Sequence, residues 1–269
     1  MTFKPLLLSA AIALSISACS TTTSPTGRNQ VIGVPESQLV QMGEQAFAQA
    51  KAQTPQSRDS RQNAYVGCVV NTIVRQLPAQ WQQLRWEYAL FENPETNAWA
   101  LPGGKVGVYT GIFKAARNQD QLAGVIAHEI GHVVSRHHNE RITRQQGAST
   151  GLQILSAIVG ARYGQSAGNT VGQVGSVGAQ GLFVLPNSRI QESEADVVGQ
   201  QLMAQAGFDP AGAVTLWQNM AAAGGSRPPA WLSTHPDPAS RLRELQQRAE
   251  GLRPAMEAAR RAGRTPRCQ

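Results

Sequence analysis

The chain has 269 residues, 24 Lys plus Arg against 17 Asp plus Glu, 41% hydrophobic residues and 3 cysteines. This mix suits one or two globular domains and excludes a disordered chain or a disulfide scaffold. The formal charge of +7 is concentrated in residues 241–267, where eight Arg face three Glu, so the basic excess belongs to a tail and not to a groove for nucleic acid.

In chain order, Lys4 precedes an apolar run over 5–16, too short to span a bilayer and of the length of a signal-peptide core. Residues 1–18 are therefore expected to be an export signal. It ends Ile16-Ser17-Ala18-Cys19, which resembles the lipobox of bacterial lipoproteins. That resemblance implies a lipid on Cys19 as the mature N-terminus, and Ser20 in place of an acidic residue implies sorting to the outer membrane. The alternative is an ordinary cleaved signal. Residues 19–30 are expected to be a lipidated polar tether. In an oxidising compartment, Cys68 and Cys268 are expected to pair. The alternative is a buried Cys68 thiol, because Tyr65, Val69, Ile73 and Leu77 give its segment a helical apolar face.

Residues 36–51 and 60–77 carry helical periodicity and form a helical pair. Over 85–113 the pattern changes to short aromatic and β-branched runs at 86–91, 98–101 and 106–110, broken by Asn93-Pro94 and Pro102-Gly103-Gly104. These predict a small antiparallel sheet. Asp120 can cap a buried helix running through Leu122, Val125, Ile126 and Val133 to about Arg144. The stretch 147–181 holds nine glycines. It fits a helical hairpin, a lid over a cleft or a membrane-touching loop, of which a helical lid is favoured. Helices over 188–206, 210–222 and 238–251 follow, the last two capped by Asp209 and Asp237, and the Arg-rich tail 253–269 ends the chain. The fold class is α+β, mainly helical with a small antiparallel sheet. Residues 31–252 form one domain, with 147–187 as its glycine-rich lid or loop.

The predicted buried helix contains His128-Glu129-Ile130-Gly131-His132. Four residues are about one helical turn, so both imidazoles leave one face and can bind a single Zn²⁺, with Glu129 about 100° round the axis toward the open position. A catalytic zinc needs a third protein ligand. Glu192 and Asp196 open a later helix one turn apart, so Glu192 can bind the metal while Asp196 accepts an imidazole N–H; Glu194 points elsewhere. The plainer alternative is that these acids only favour the positive end of the helix dipole. His137 and His138 follow five and six residues after His132, as supporting or exposed groups.

HEIGHVVSRH, SRIQESEAD, NAWALPGG and STHPDPASRL, in their order along the chain, resemble the zinc metallopeptidase family of the CAAX-prenyl endopeptidase and the HtpX protease, over roughly residues 27–249. The soluble lipoprotein branch is the most similar. The resemblance implies a gluzincin with His128, His132 and Glu192 on one Zn²⁺, Glu129 as general base and Asp196 behind a histidine. It implies that His235 lies beside the metal, either as an oxyanion donor or as a fourth ligand that keeps the enzyme latent. Asn97, Ala98, Trp99 and Ala100 form a strand whose free edge can take an extended peptide. The expected activity is endoproteolysis of unfolded or misassembled envelope proteins at the periplasmic side of the outer membrane, with the outer-membrane assembly machinery as a partner. The alternative is a chaperone or assembly factor with latent proteolysis. Nucleic acid is not an expected partner.

Overall fold

The computed structural model describes residues 20–163, 189–223, 235 and 238–268. The expected export signal, Cys19, residues 164–187 of the expected lid or loop, Ser188 and Asp237 lie outside the described residues. The elements are β1 (Ser20–Thr23), β2 (Asn29–Ile32), α1 (Glu36–Gln53), α2 (Ser60–Val74), a single turn α3 (Ala79–Gln82), β3 (Glu87–Phe91), β4 (Ala98–Leu101) and β5 (Lys105–Tyr109). They continue with α4 (Gln119–Val134), α5 (His137–Tyr163), α6 (189–206), α7 (Ala211–Ala223) and α8 (Pro238–Arg261). The fold is α+β as expected. None of these helices is long and apolar enough to cross a membrane.

The chain divides into two compact units, Met1–Glu36 with His138–Leu185 and Ser37–His137 with Pro186–Gln269. In the first, the segment expected to be a polar tether forms the antiparallel pair β1–β2, with Gly27 at φ 88° between them. Its consecutive threonines suit a strand better than a free linker. Arg28 grips Glu140 on α5 through two bonds of 2.7 and 2.9 Å, while the Gly33 and Val34 N–H groups donate to Thr143 Oγ1 and Asn139 Oδ1. Such forked, charge-assisted contacts fix register as well as adding energy.

The second unit holds the main core. Val66, Val69, Val70 and Ile73 on α2 recur at helical spacing and are all buried, so α2 turns one face inward. Its first turn is capped by Asp59, which accepts from the Arg61 and Gln62 N–H groups. The three-stranded sheet has the order β3-β5-β4 and is mixed, not purely antiparallel: β4 and β5 form the antiparallel hairpin, while β3 runs parallel to β5. The 92–104 connection is long enough for the crossover a parallel pair requires, and it carries β4.

α4 passes through the middle of this unit, and every residue from Gln121 to Val134 on it is buried. Asn118 caps it, accepting from the Gln121 N–H at 2.9 Å; Asp120, expected in that role, instead accepts from the Asp209 N–H at 2.9 Å. The helix expected to run to about Arg144 stops at Val134. Ser135 closes it, Arg136 sits at φ 55°, and α5 starts afresh at His137. The last helix, expected to end near Gly251, continues past Pro254 to Arg261. Met256 and Ala259 are buried there and extend its apolar face. Beyond it, Cys268 is joined to Cys68 with sulfurs 2.01 Å apart, and Gln119 at the start of α4 bonds both Pro266 O (3.1 Å) and the Cys268 N–H (2.8 Å).

Candidate metal centre

Two glycines let α4 and α6 approach closely enough to share a site. A Cβ on Gly131 would lie 2.9 Å from the Ala195 carbonyl oxygen, and one on Gly199 would lie 3.0 Å from the His128 backbone nitrogen. Hydrogen in place of a side chain brings the carboxylates of α6 against the imidazoles of α4.

His128 Nε2 and His132 Nε2 are 3.1 Å apart; Glu192 places one oxygen 3.3 Å from the first and the other 3.4 Å from the second. Zinc bonds of about 2.0–2.1 Å in a tetrahedral arrangement separate neighbouring ligand atoms by about 3.3–3.4 Å, so this donor set has the spacing the metal needs. His235 completes a group of four whose ligand atoms lie within 4.8 Å of one another. Its Nδ1 is 3.3 Å from His128 Nε2 and 2.7 Å from Glu192 Oε2, and its Nε2 is 3.3 Å from Glu129 Oε1. All of these side chains are buried except His235, which keeps 12% exposure.

A carboxylate holds the outer side of the His128 imidazole. His128 Nδ1 is 2.9 Å from Asp196 Oδ1. Arg241 binds Asp196 through Nε and Nη2 at 2.7 and 2.8 Å, donates from Nη1 to Glu192 at 3.0 Å, and stacks over Trp217. Burial works to pull the His128 pKa down, yet the hydrogen bonds and charges of Asp196 and Glu192 push it up to about 9. Burial holds His132 well below its usual range. Burial also opposes ionisation of Glu192, but His128 and His235 outweigh it and keep the carboxylate charged. Three carboxylates (Glu129, Glu192, Asp196) against the Arg241 guanidinium leave this buried site an excess of negative charge even with His128 protonated, and that favours a divalent cation.

The expected ligands His128, His132 and Glu192, the expected base Glu129, the expected histidine support Asp196 and His235 thus come together in one cluster. Asn97, Ala98, Trp99 and Ala100 lie on or beside β4, which is an edge of the sheet with no further strand paired to it among the described residues. Ala98 and Ala100 face the core, Trp99 packs on Phe47 and Phe91, and Asn97 Oδ1 accepts from the Ala98 N–H. Cys68 and Cys268 meet each other near the start of α4, away from the imidazoles in sequence and bonding. The role of Arg241 and the meeting of Glu194 with His137, which was expected as a supporting or exposed group, escape a reading of the sequence. Arg241 carries a signal, its place three residues after the first residue of the helix that follows the His235 turn, but charge counting groups it with the basic tail. His137 and Glu194 meet only because α4 breaks, and they are 3.0 Å apart.

The sequence profile of peptidase family M48 matches residues 60–249. Mitochondrial metalloendopeptidase OMA1 of Schizosaccharomyces pombe is 36% identical over 185 residues, 68% of this chain and 52% of that protein. The β-barrel assembly-enhancing protease of Escherichia coli K12 is 32% identical over 221 residues, 81% of this chain and 45% of that protein. The chain thus spans about half the length of these relatives. The match covers α2 to α8 and contains the whole cluster, and by it the chain belongs to peptidase family M48, with the donor set of a zinc metallopeptidase.

Proposed function

We propose that the protein is a zinc-dependent endopeptidase that hydrolyses peptide bonds of unfolded or misassembled proteins of the bacterial envelope. The observation that carries this is the convergence of His128, His132 and Glu192 at ligand spacing with Glu129 beside them. Those three residues would hold the ion. Bound there, zinc would supply Lewis-acid polarisation of a carbonyl and would lower the pKa of a water to about 7. Glu129 takes the proton from the attacking water and returns it to the leaving nitrogen. Asp196, accepting from His128 Nδ1–H, fixes the tautomer that presents Nε2 to the cluster, and Arg241 aligns Asp196 and Glu192 together. The outer edge of β4 takes the substrate backbone as an added strand, which reads main chain more than side chains and suits unfolded segments.

The envelope setting rests on the Cys19 lipobox and on the relative named for β-barrel assembly; the mitochondrial relative shares the chemistry in another compartment. In this reading the protein sits on the periplasmic side of the outer membrane through a lipid on Cys19, in the soluble lipoprotein branch of its family, and meets the assembly machinery there. Cys19→Ser should release it into the soluble fraction, and continued membrane pelleting after a carbonate wash would refute the anchor. Activity is tested on unfolded casein with and without a chelator. Glu129→Gln should keep one zinc and lose about 10²- to 10⁴-fold in rate. Casein cleavage unaffected by both treatments sinks the proposal, whereas chaperoning retained in Glu129→Gln favours the assembly-factor alternative.

A second reading concerns control. His235 Nδ1 lies among the ligand atoms, which favours a latch, a residue that would help hold the ion until substrate arrives, over an oxyanion donor.

A further inference from the structure

On α4 the two imidazoles of the cluster have different supports. His128 Nδ1 meets the Asp196 carboxylate directly. His132 Nδ1 instead lies 2.8 Å from His137 Nδ1, and His137 Nε2 lies 3.0 Å from Glu194 Oε2. The side chains of His132, His137 and Glu194 are 3%, 0% and 3% exposed, so the contact is made away from water.

In an unbroken helix, five residues would set His137 about 140° round the axis from His132, out of reach of its ring. What brings it back is the break at Ser135–Arg136. Arg136 takes a left-handed φ of 55° with no glycine to ease it, a conformation that costs about 1 kcal/mol and persists only where its surroundings require it. Strain of this kind clusters at functional sites. On α6, Glu192, Glu194 and Asp196 alternate: the first and last share a face one turn apart, while Glu194 leaves the helix about 200° from Glu192, where His137 receives it.

We propose, on the basis of the zinc-peptidase reading above, that His137 and Glu194 are positioning residues that fix His132 as a zinc ligand through a histidine-to-histidine hydrogen bond. The proton bookkeeping is determined by the partners. A carboxylate only accepts, so His137 carries its proton on Nε2 and gives it to Glu194 as a hydrogen bond. Neutral His137 then presents an Nδ1 lone pair, which accepts from His132 Nδ1–H. His132 is left with its Nε2 lone pair aimed at the cluster. Both imidazoles therefore end on a carboxylate from α6, one directly and one through a second imidazole.

The test measures zinc affinity of the full chain by competition with a chelator of known affinity, together with the absorption spectrum of the Co²⁺-substituted protein and the melting temperature after chelator treatment. His137→Phe keeps a ring and removes both hydrogen bonds; zinc affinity should fall about 10- to 100-fold and the Co²⁺ bands should shift. His137→Gln, with an acceptor for His132 and a donor for Glu194, should recover most of that loss. Glu194→Gln should weaken zinc by a smaller factor and decides the matter if His137→Phe does not fold. Unchanged zinc affinity and Co²⁺ spectrum in a folded His137→Phe variant, or in Glu194→Gln where the Phe variant does not fold, overturns the proposal, even if the melting temperature drops. Wild-type protein that takes up no zinc overturns the parent reading itself, a result distinct from a wild type that binds zinc and variants that bind it equally well.

Discussion

Replacing Arg241 with Met keeps an unbranched stem over Trp217 and deletes the guanidinium that touches Asp196 twice and Glu192 once. The side chain is 4% exposed and its two acid partners 5%, so water does not screen the loss. Removing one partner of a buried ion pair costs about 3–5 kcal/mol, because the carboxylates remain buried with much of their countercharge gone. In a chain of this size each kcal/mol corresponds to about 2–4 °C, so the chelator-treated protein should melt about 6–20 °C lower. Zinc supplies positive charge beside Glu192, and saturating zinc should return part of the difference. Thermal denaturation followed by circular dichroism, with chelator and with zinc, measures both quantities. Arg241→Lys keeps the charge but loses the planar fork and should fall between the two. A chelator-treated Arg241→Met protein that melts within about 2 °C of the wild type would refute the claim that this residue holds the carboxylates in place.

Other substitutions probe separate links. His235→Ala should raise casein cleavage with zinc retained if the imidazole is a latch; a collapse of about 10²-fold or more with zinc retained identifies an oxyanion donor, and no change discards both roles. Gly131→Val places a branched side chain where a Cβ already meets the Ala195 carbonyl at 2.9 Å. It should separate α4 from α6, costing about 1–3 kcal/mol and most of the bound zinc, and full zinc content at an unchanged melting temperature would contradict the close-approach argument. The Cys68–Cys268 bridge spans a sequence separation of 200. Reduction should lower the melting temperature, with about 5 kcal/mol as the ceiling from chain entropy, and two free thiols found by alkylating the denatured, unreduced protein would rule the bridge out.

What was legible in the chain was what one helix or one hairpin determines alone. The four-residue step from His128 to His132, and from Glu192 to Asp196, is a property of helical period, and Pro102-Gly103-Gly104 marks the β4–β5 turn without any tertiary knowledge. The parallel seat of β3 beside β5 was not legible, because it depends on a crossover and not on any local residue. The end of α4 was hidden for another reason. Residues 133–144 contain neither Gly nor Pro, and the break rests on a left-handed arginine that no composition rule announces. With the break hidden, His137 was read as a continuation of the same helix, and Glu194, seen to leave the Glu192 face, had no visible destination. Arg241 was masked by its eight-arginine surroundings, where charge counting treats a buried guanidinium and its solvated neighbours alike.

The burial of α4 on every side also limits how the catalytic parts can move. A helix with no solvent-facing residue between Gln121 and Val134 has no free side along which to slide or tilt toward a peptide. Its amide protons should exchange with deuterated water only when the surrounding unit opens as a whole, placing them among the slowest in the molecule. On the proposed endopeptidase reading, accommodation of different peptides would fall to the flanks, the outer edge of β4 and the partly exposed His235. In that reading, a rigid ligand-bearing rod with adaptable neighbours would keep the bond-breaking geometry constant while the bound sequence varies.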